Sequence, residues 1–378
     1  MSVMTQPKFS KEIGPNWFAS VMGTGIIANA AVGLPLFGIH LTYFALVVWL
    51  LAALLLIVML VIKISQTIIR PDIIKRQFND PVMAQFFGAP PMALLTIAGG
   101  TVLMGHHLFA QDTVLLIAWS LWFIGTFAGL LSAVIIPFRL FTHYEVNHHA
   151  AFGGWLMPVV PPMVSAAIGA MLIPHSQDIL FQQTLLYICY AMFGFSLIAA
   201  LIIITLIWNR LAHTGSSGGA RVPTLWIVLG PLGQSITAIG ALGTVALSVV
   251  EQPIASSLNT MAILYGVPVW GFALFWSCIA SLLTLRAIRR QMPFALTWWA
   301  FTFPVGTCVT GTTQLALHTG LPLFEWAAVI LFAVLIGAWI IAAIGTVKGF
   351  KGGHILKNAI SPATVQANKG GEKDKNNH

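Results

Sequence analysis

Five clusters of glycine and proline interrupt apolar stretches of this chain, at Gly23-Thr24-Gly25, Gly88-Ala89-Pro90-Pro91, Pro158-Val159-Val160-Pro161-Pro162, Gly230-Pro231-Leu232-Gly233 and Phe303-Pro304-Val305-Gly306. A helix broken in this way leaves backbone amides without carbonyl partners and exposes the positive end of a dipole, and both attract anions. Taken singly, each cluster is better explained by close helix packing or a tolerated kink. Polar side chains lie on the same stretches, namely Thr24, Gln234, Thr307 and Gln314. They can offer donors to an oxyanion, or join neighbouring helices by hydrogen bonds worth about 0.6 kcal/mol each. Thr24 and Gln234 are carried forward as anion-binding candidates, with Gly23, Gly25, Gly88, Pro90, Pro158, Pro161, Gly230, Pro231 and Pro304 as pore-lining backbone positions.

The titratable groups allow other chemistry. His143, Glu145, His148 and His149 precede the third interrupted stretch, and His106-His107 follows the second. Imidazole near a carboxylate can relay protons, so Glu145, His148 and His149 are candidate proton-linked residues. The same cluster also reads as a solvated interfacial loop, and its spacing matches no strong metal motif. Cys189, Cys278 and Cys308 sit inside apolar runs without CxxC spacing, which indicates packing rather than disulfides or a thiolate site. No nucleophile-base spacing is present, so no catalytic residue, metal or cofactor is assigned and an enzyme is not expected.

The elements that position these residues follow from composition. Hydrophobic residues make up 58% of the 378 and charged ones 7%, with a mean hydropathy of +0.88. That balance is an integral membrane protein's. A span needs about 20 apolar residues. Ten stretches qualify, at approximately 15–37, 41–63, 82–104, 113–137, 150–173, 179–208, 223–248, 258–285, 293–318 and 323–347. Ala28-Asn29-Ala30 resembles a signal cleavage site, but its apolar run starts late and contains two glycines, so it reads as a first span.

Of the 18 Lys and Arg residues, Lys63 closes the second stretch and the others fall before, between or after pairs of these stretches, so that none interrupts a pair. Basic residues are retained in the cytoplasm, so the alternation predicts five helical hairpins with both termini inside. The formal charge of +8 is thereby explained by topology, with contact to anionic lipid as a secondary effect and no nucleic-acid partner. The expected organisation is a cytoplasmic segment at 1–14, a membrane domain at 15–347 and a disordered basic cytoplasmic tail at 348–378.

The odd-numbered spans begin roughly 70 residues apart, a repeat whose unit is one hairpin. Their interruptions lie about 12 to 16 Å from the span starts, near the middle of a ~30 Å hydrocarbon layer. Irregular backbone at that depth must face protein or a water-filled cavity, so five coincident breaks point to one shared axis, with the even spans toward lipid. No Lys or Arg lies in an odd span, which leaves half-helix dipoles to bind an anion weakly and reversibly.

Asp80-Pro81-Val82 through Phe86-Phe87-Gly88-Ala89-Pro90, Pro223-Thr224-Leu225-Trp226 with Gly230-Pro231, and Trp298-Trp299-Ala300-Phe301-Thr302-Phe303-Pro304 resemble motifs of the tellurite-resistance/dicarboxylate transporter family. That family includes bacterial homologues of the plant guard-cell slow anion channel. Trp17-Phe18 with Met22-Gly23-Thr24-Gly25-Ile26, and Gly154-Trp155-Leu156-Met157-Pro158-Val159-Val160, are more similar to its sulfite-efflux and malate-carrier branch. The resemblance implies an all-α integral membrane fold of ten transmembrane helices, in which five helical-hairpin repeats form a quasi-five-fold ring around a central pore, commonly as a homotrimer. It implies multi-pass insertion in the cell inner (plasma) membrane. It also implies that Phe303, at the position of the family's ninth-helix phenylalanine, closes the pore; packing between helices is the ordinary alternative for such a ring.

Two classes of function remain. One is a pathway for small anions, among them sulfite or tellurite-related oxyanions, halide, nitrate and C4-dicarboxylates. The other is a proton-coupled secondary carrier or efflux pump for sulfite or C4-dicarboxylates, which needs a titratable group linked to access.

Overall fold

The computed structural model describes residues 12–147, 149–216 and 219–351. His148, most of the N-terminal segment and the tail beyond Lys351 lie outside the described residues. The described chain is helical, with α1 (Phe18–Gly33), α2 (Thr42–Ile69), α3 (Pro71–Asn79), α4 (Ala89–Met104), α5 (Gln111–Thr142) and α6 (Pro161–Leu172) in its first half. It continues through α7 (Ile179–Thr214), α8 (Leu229–Val249), α9 (Ile254–Arg289), α10 (Phe303–Thr319) and α11 (Pro322–Lys351).

Local chemistry sets several boundaries. Proline opens α3 and α6 and stands in the first turns of α4 and α10, where a missing N–H costs little. Asp178 caps α7 by accepting from the amides of Leu180 and Phe181. Gly320, at φ 65°, ends α10 in the left-handed region and permits the sharp reversal into α11.

The helices pair in sequence as α1/α2, α4/α5, α6/α7, α8/α9 and α10/α11. Across the pairs, α1 touches α4, α4 touches α6, α6 touches α8, α8 touches α10, and α10 touches α1. These five helices are inner. Within the segments Ala84–His107 and Gly219–Val249, 78% and 83% of the most apolar window is buried, against 17% to 33% for α2, α5, α7, α9 and α11. The outer five expose large apolar side chains such as Tyr43, Leu54, Phe141, Ile198, Leu264 and Ile330. Such a surface suits lipid and not water.

Among the described residues, seven helices are long and apolar enough to cross a membrane, by length and composition. The stretches expected as first, fifth and ninth spans fold into α1, α6 and α10, of 16, 12 and 17 residues. At 1.5 Å per residue each α-helical part is shorter than a ~30 Å layer. The physical reason is that each inner helix is preceded by a 3₁₀ segment: Pro15–Trp17, Ala84–Gly88, Gly153–Leu156, Gly219–Val228 and Leu296–Phe301.

Those segments correct the expected breaks. Gly23-Thr24-Gly25 interrupts nothing, because α1 runs through it. Glycine without proline only weakens a helix, by about 1 kcal/mol relative to alanine, and packing outweighs that. Gly88-Ala89-Pro90-Pro91 lies at the passage from 3₁₀ to α, Gly230-Pro231-Leu232-Gly233 and Phe303-Pro304-Val305-Gly306 stand at the starts of α8 and α10, and Pro158-Val159-Val160 falls, as expected, in a non-helical turn at 157–160 between its 3₁₀ segment and α6. Fewer free amides result than expected. Pro161, Pro162 and Pro304 have no N–H, the amides of Met163 and Val164 donate to Val160 O, and that of Gly306 donates to Thr302 O.

Candidate functional site

Two cavities lie between the five inner helices. The first, of about 40 Å³, is bounded near the helix starts by Met22, Phe86, Met157, Ile227 and Trp299 among others. The second, of about 180 Å³, lies further along the same helices, between residues such as Asn29, Leu103, Met171, Ala241 and Gln314. All five inner helices contribute to the second cavity; four of them or their 3₁₀ lead-ins border the first, where the fifth contribution comes from Met157 and Val160 in the turn ahead of α6. Phe303, 5% exposed, is the one side chain common to the two linings. It is the first residue of α10, so its ring stands where the winding changes.

The start of α10 is held firmly. The Thr307 hydroxyl lies within reach of the carbonyls of Pro304, Gly230 and Leu229, at 2.7, 3.2 and 3.3 Å. At Gly233 an added Cβ would stand 2.4 Å from Cys308 N, and at Gly311 one would stand 2.7 Å from Gly233 O. Backbone contact this close fixes α8 against α10 and leaves side-chain rotation as the cheap motion for Phe303.

The larger cavity is walled mainly by apolar side chains but carries polar, uncharged ones among them. Asn29, Gln234, Thr237, Thr310, Thr313 and Gln314 line it, and no titratable side chain lines either cavity. Asn29 Nδ2 donates to Thr96 O, while Asn29 Oδ1 and Thr313 Oγ1 are buried without partners. Buried polar atoms without partners are costly, so a site that keeps several of them is suited to water or a polar solute. Hydroxyl and amide donors can replace part of an anion's hydration shell without a fixed charge.

The residues singled out from sequence separate into two groups. Phe303, Gly230, Pro231 and Pro304 border the first cavity, and Gln234 and Phe303 the second. Gly23, Thr24, Gly25, Gly88, Pro90, Pro158 and Pro161 line neither. Gly23 faces Thr302 and Trp299, Gly25 faces Thr96, and Pro161 lies against Gly129. Pro158 O accepts from Ser132 Oγ, and Pro90 sits in the first turn of α4. Thr24 Oγ1 accepts from Trp339 Nε1 at 3.0 Å, tying α1 to the outer helix α11. Thr24→Val is accordingly expected to cost about 0.6 kcal/mol of stability and leave transport unchanged. Parallel denaturation and flux measurements check this, and a selective loss of flux contradicts it.

Glu145 and His149 are exposed and border neither cavity. Sequence reasoning missed Asn29, Thr237, Thr310 and Thr313. The available signal was their spacing: Ile26, Asn29, Ala30 and Gly33 recur at helical intervals on one face, as do Phe303, Thr310, Thr313 and Gln314.

Comparison with known proteins places the chain in a family. The profile of the voltage-dependent anion channel family matches residues 12–347. The chain belongs to that family. This member is similar to a sulfite efflux pump of Trichophyton rubrum, 29% identical over 333 residues that cover 86% of this chain and 88% of the relative. An uncharacterized transporter of Methanocaldococcus jannaschii is 26% identical over 355 residues, covering 93% and 99%. The malic acid transport protein of Schizosaccharomyces pombe is 22% identical over 346 residues, covering 89% and 78%. The family member described here transports anions across a membrane and is not an enzyme. Uncharged cavities between apolar helices are chemistry suited to passage rather than to bond making.

Proposed function

We propose that the two cavities are successive parts of one anion pathway and that Phe303 is its gate. The observation that carries this reading is the single aromatic side chain shared by both linings. An aromatic ring at a constriction displaces water, so an anion there loses hydration without compensation until the ring turns aside. Weak, uncharged binding in the larger cavity favours rapid exit.

The fold belongs to the same proposal. Ten spans form five hairpins in a quasi-five-fold ring, and the closed cycle of contacts from α1 through α4, α6, α8 and α10 back to α1 supports it. Each short inner helix then crosses together with its 3₁₀ lead-in. The distribution of Lys and Arg supports both termini in the cytoplasm, with the smaller cavity toward that side. Trimeric assembly and the plasma membrane follow from the family resemblance. Small oxyanions such as sulfite and C4-dicarboxylates such as malate are the substrates we infer, guided by what the relatives are named for.

Reversal potentials under opposed pH and anion gradients separate a channel from a proton-coupled carrier. With no titratable group on either cavity, the reversal potential is expected to follow the anion gradient alone. Displacement by the proton gradient would instead establish the carrier and turn attention to Glu145, His148 and His149.

A further inference from the structure

The buried face of α7 repeats every three or four residues through Met192, Ser196, Ala200, Ile204 and Ile207, and the next position on it is Arg210. The pattern asks for an apolar side chain there and receives a guanidinium. Arg210 is only 4% exposed, and its Nε and Nη2 are buried without a hydrogen-bond partner. None of the described ion pairs engages it. Arginine does not deprotonate in proteins, so this is a permanent buried charge.

The nearest influence makes matters worse. Arg221 lies within electrostatic range of Arg210, so the buried charge faces a second positive one. Arg221 stands in the 3₁₀ segment Gly219–Val228, with its guanidinium 5.6 Å from the Phe152 ring and its carbonyl accepting from Thr224 Oγ1 at 2.7 Å. Two like charges, one of them desolvated and with donors unused, are a costly arrangement unless something negative joins them.

We propose that Arg210 and Arg221 together bind a phosphate-type oxyanion, either as a lipid headgroup or as a free anion. Two guanidinium groups match such a ligand in charge and in planar donor geometry. The site is separate from the proposed transport pathway, since neither arginine lines either of its two cavities. It adjoins the pathway, because Thr224, held by the Arg221 carbonyl, lines the smaller cavity. Occupancy therefore steadies the 3₁₀ segment that leads into α8.

The test uses the full chain in nanodiscs of phosphatidylcholine alone or with phosphatidylglycerol, with thermal unfolding followed as inorganic phosphate is titrated. Wild type is expected to be stabilised by phosphate or by phosphatidylglycerol. Arg210→Met, which keeps the stem and removes the charge, should weaken that response at least tenfold, whereas Arg289→Gln on an exposed position should keep it. A response to phosphate in neutral lipid assigns the site to a free oxyanion; a response only to phosphatidylglycerol assigns it to a headgroup. Should Arg210→Met fail to fold, Arg221→Gln on the half-buried partner carries the same expectation. Wild type that responds to neither ligand, or variants that respond as wild type does, overturn the site and leave the proposed transport pathway untouched.

Discussion

Phe303→Ala is expected to raise anion conductance in reconstituted bilayers by about tenfold or more, equivalent to removing about 1.4 kcal/mol or more from the barrier to passage. The ring is the sole side chain shared by the two cavities, so its removal joins spaces of about 40 and 180 Å³. Water that enters the enlarged space hydrates the anion through the constriction. Truncating a buried Phe also costs stability, about 3 to 5 kcal/mol in a well-packed core. The conductance must therefore be measured per folded protein, with Phe303→Leu as a variant that keeps more of the volume. Single-channel recordings decide the matter. Unchanged conductance in properly folded Phe303→Ala would mean that the ring only packs between helices.

Gly88→Ala carries the second large expectation, and it concerns folding. A Cβ at Gly88 would stand 1.9 Å from Met157 O and 2.5 Å from Met157 C, both backbone atoms. Backbone cannot turn aside as a flexible side chain can, so the lead-in to α4 must separate from the chain ahead of α6. We expect a loss of about 3 kcal/mol or more, at the severe end for a single added methyl group. Gly194→Ala is the matched control, because nothing lies within 4 Å of a Cβ there and helix propensity slightly favours alanine. Size-exclusion profiles and unfolding midpoints of the two variants in detergent provide the comparison. Equal behaviour would show that Gly88 is not a contact point between repeats.

The contrast between Gly88 and Gly230 shows how far a sequence can be read. Both stood in the same kind of motif, yet Gly88 supports a backbone contact and Gly230 borders a cavity, where the nearest atom to an added Cβ is 4.0 Å away. Composition reports that a residue is small. It does not report which neighbour uses the space. Thr24 and Gln234 diverge in the same way, since one accepts a bond from Trp339 and the other faces the larger cavity. A rotation of one residue about a helix axis is 100°, enough to move a side chain from the axis of the bundle to its outer layer.

Sequence alone determined the solvent and the spacing of the interrupted stretches. Long apolar stretches require lipid, and interrupted stretches that recur about every 70 residues call for similar packing around each. Tertiary structure alone decided that α1 runs unbroken, that a 3₁₀ segment leads into each inner helix, and that Phe303 borders two cavities. The division has a physical cause. Hydrophobicity and charge act through the average surroundings of a segment, so they are legible in composition, whereas a cavity exists only where particular side chains from five helices fail to meet.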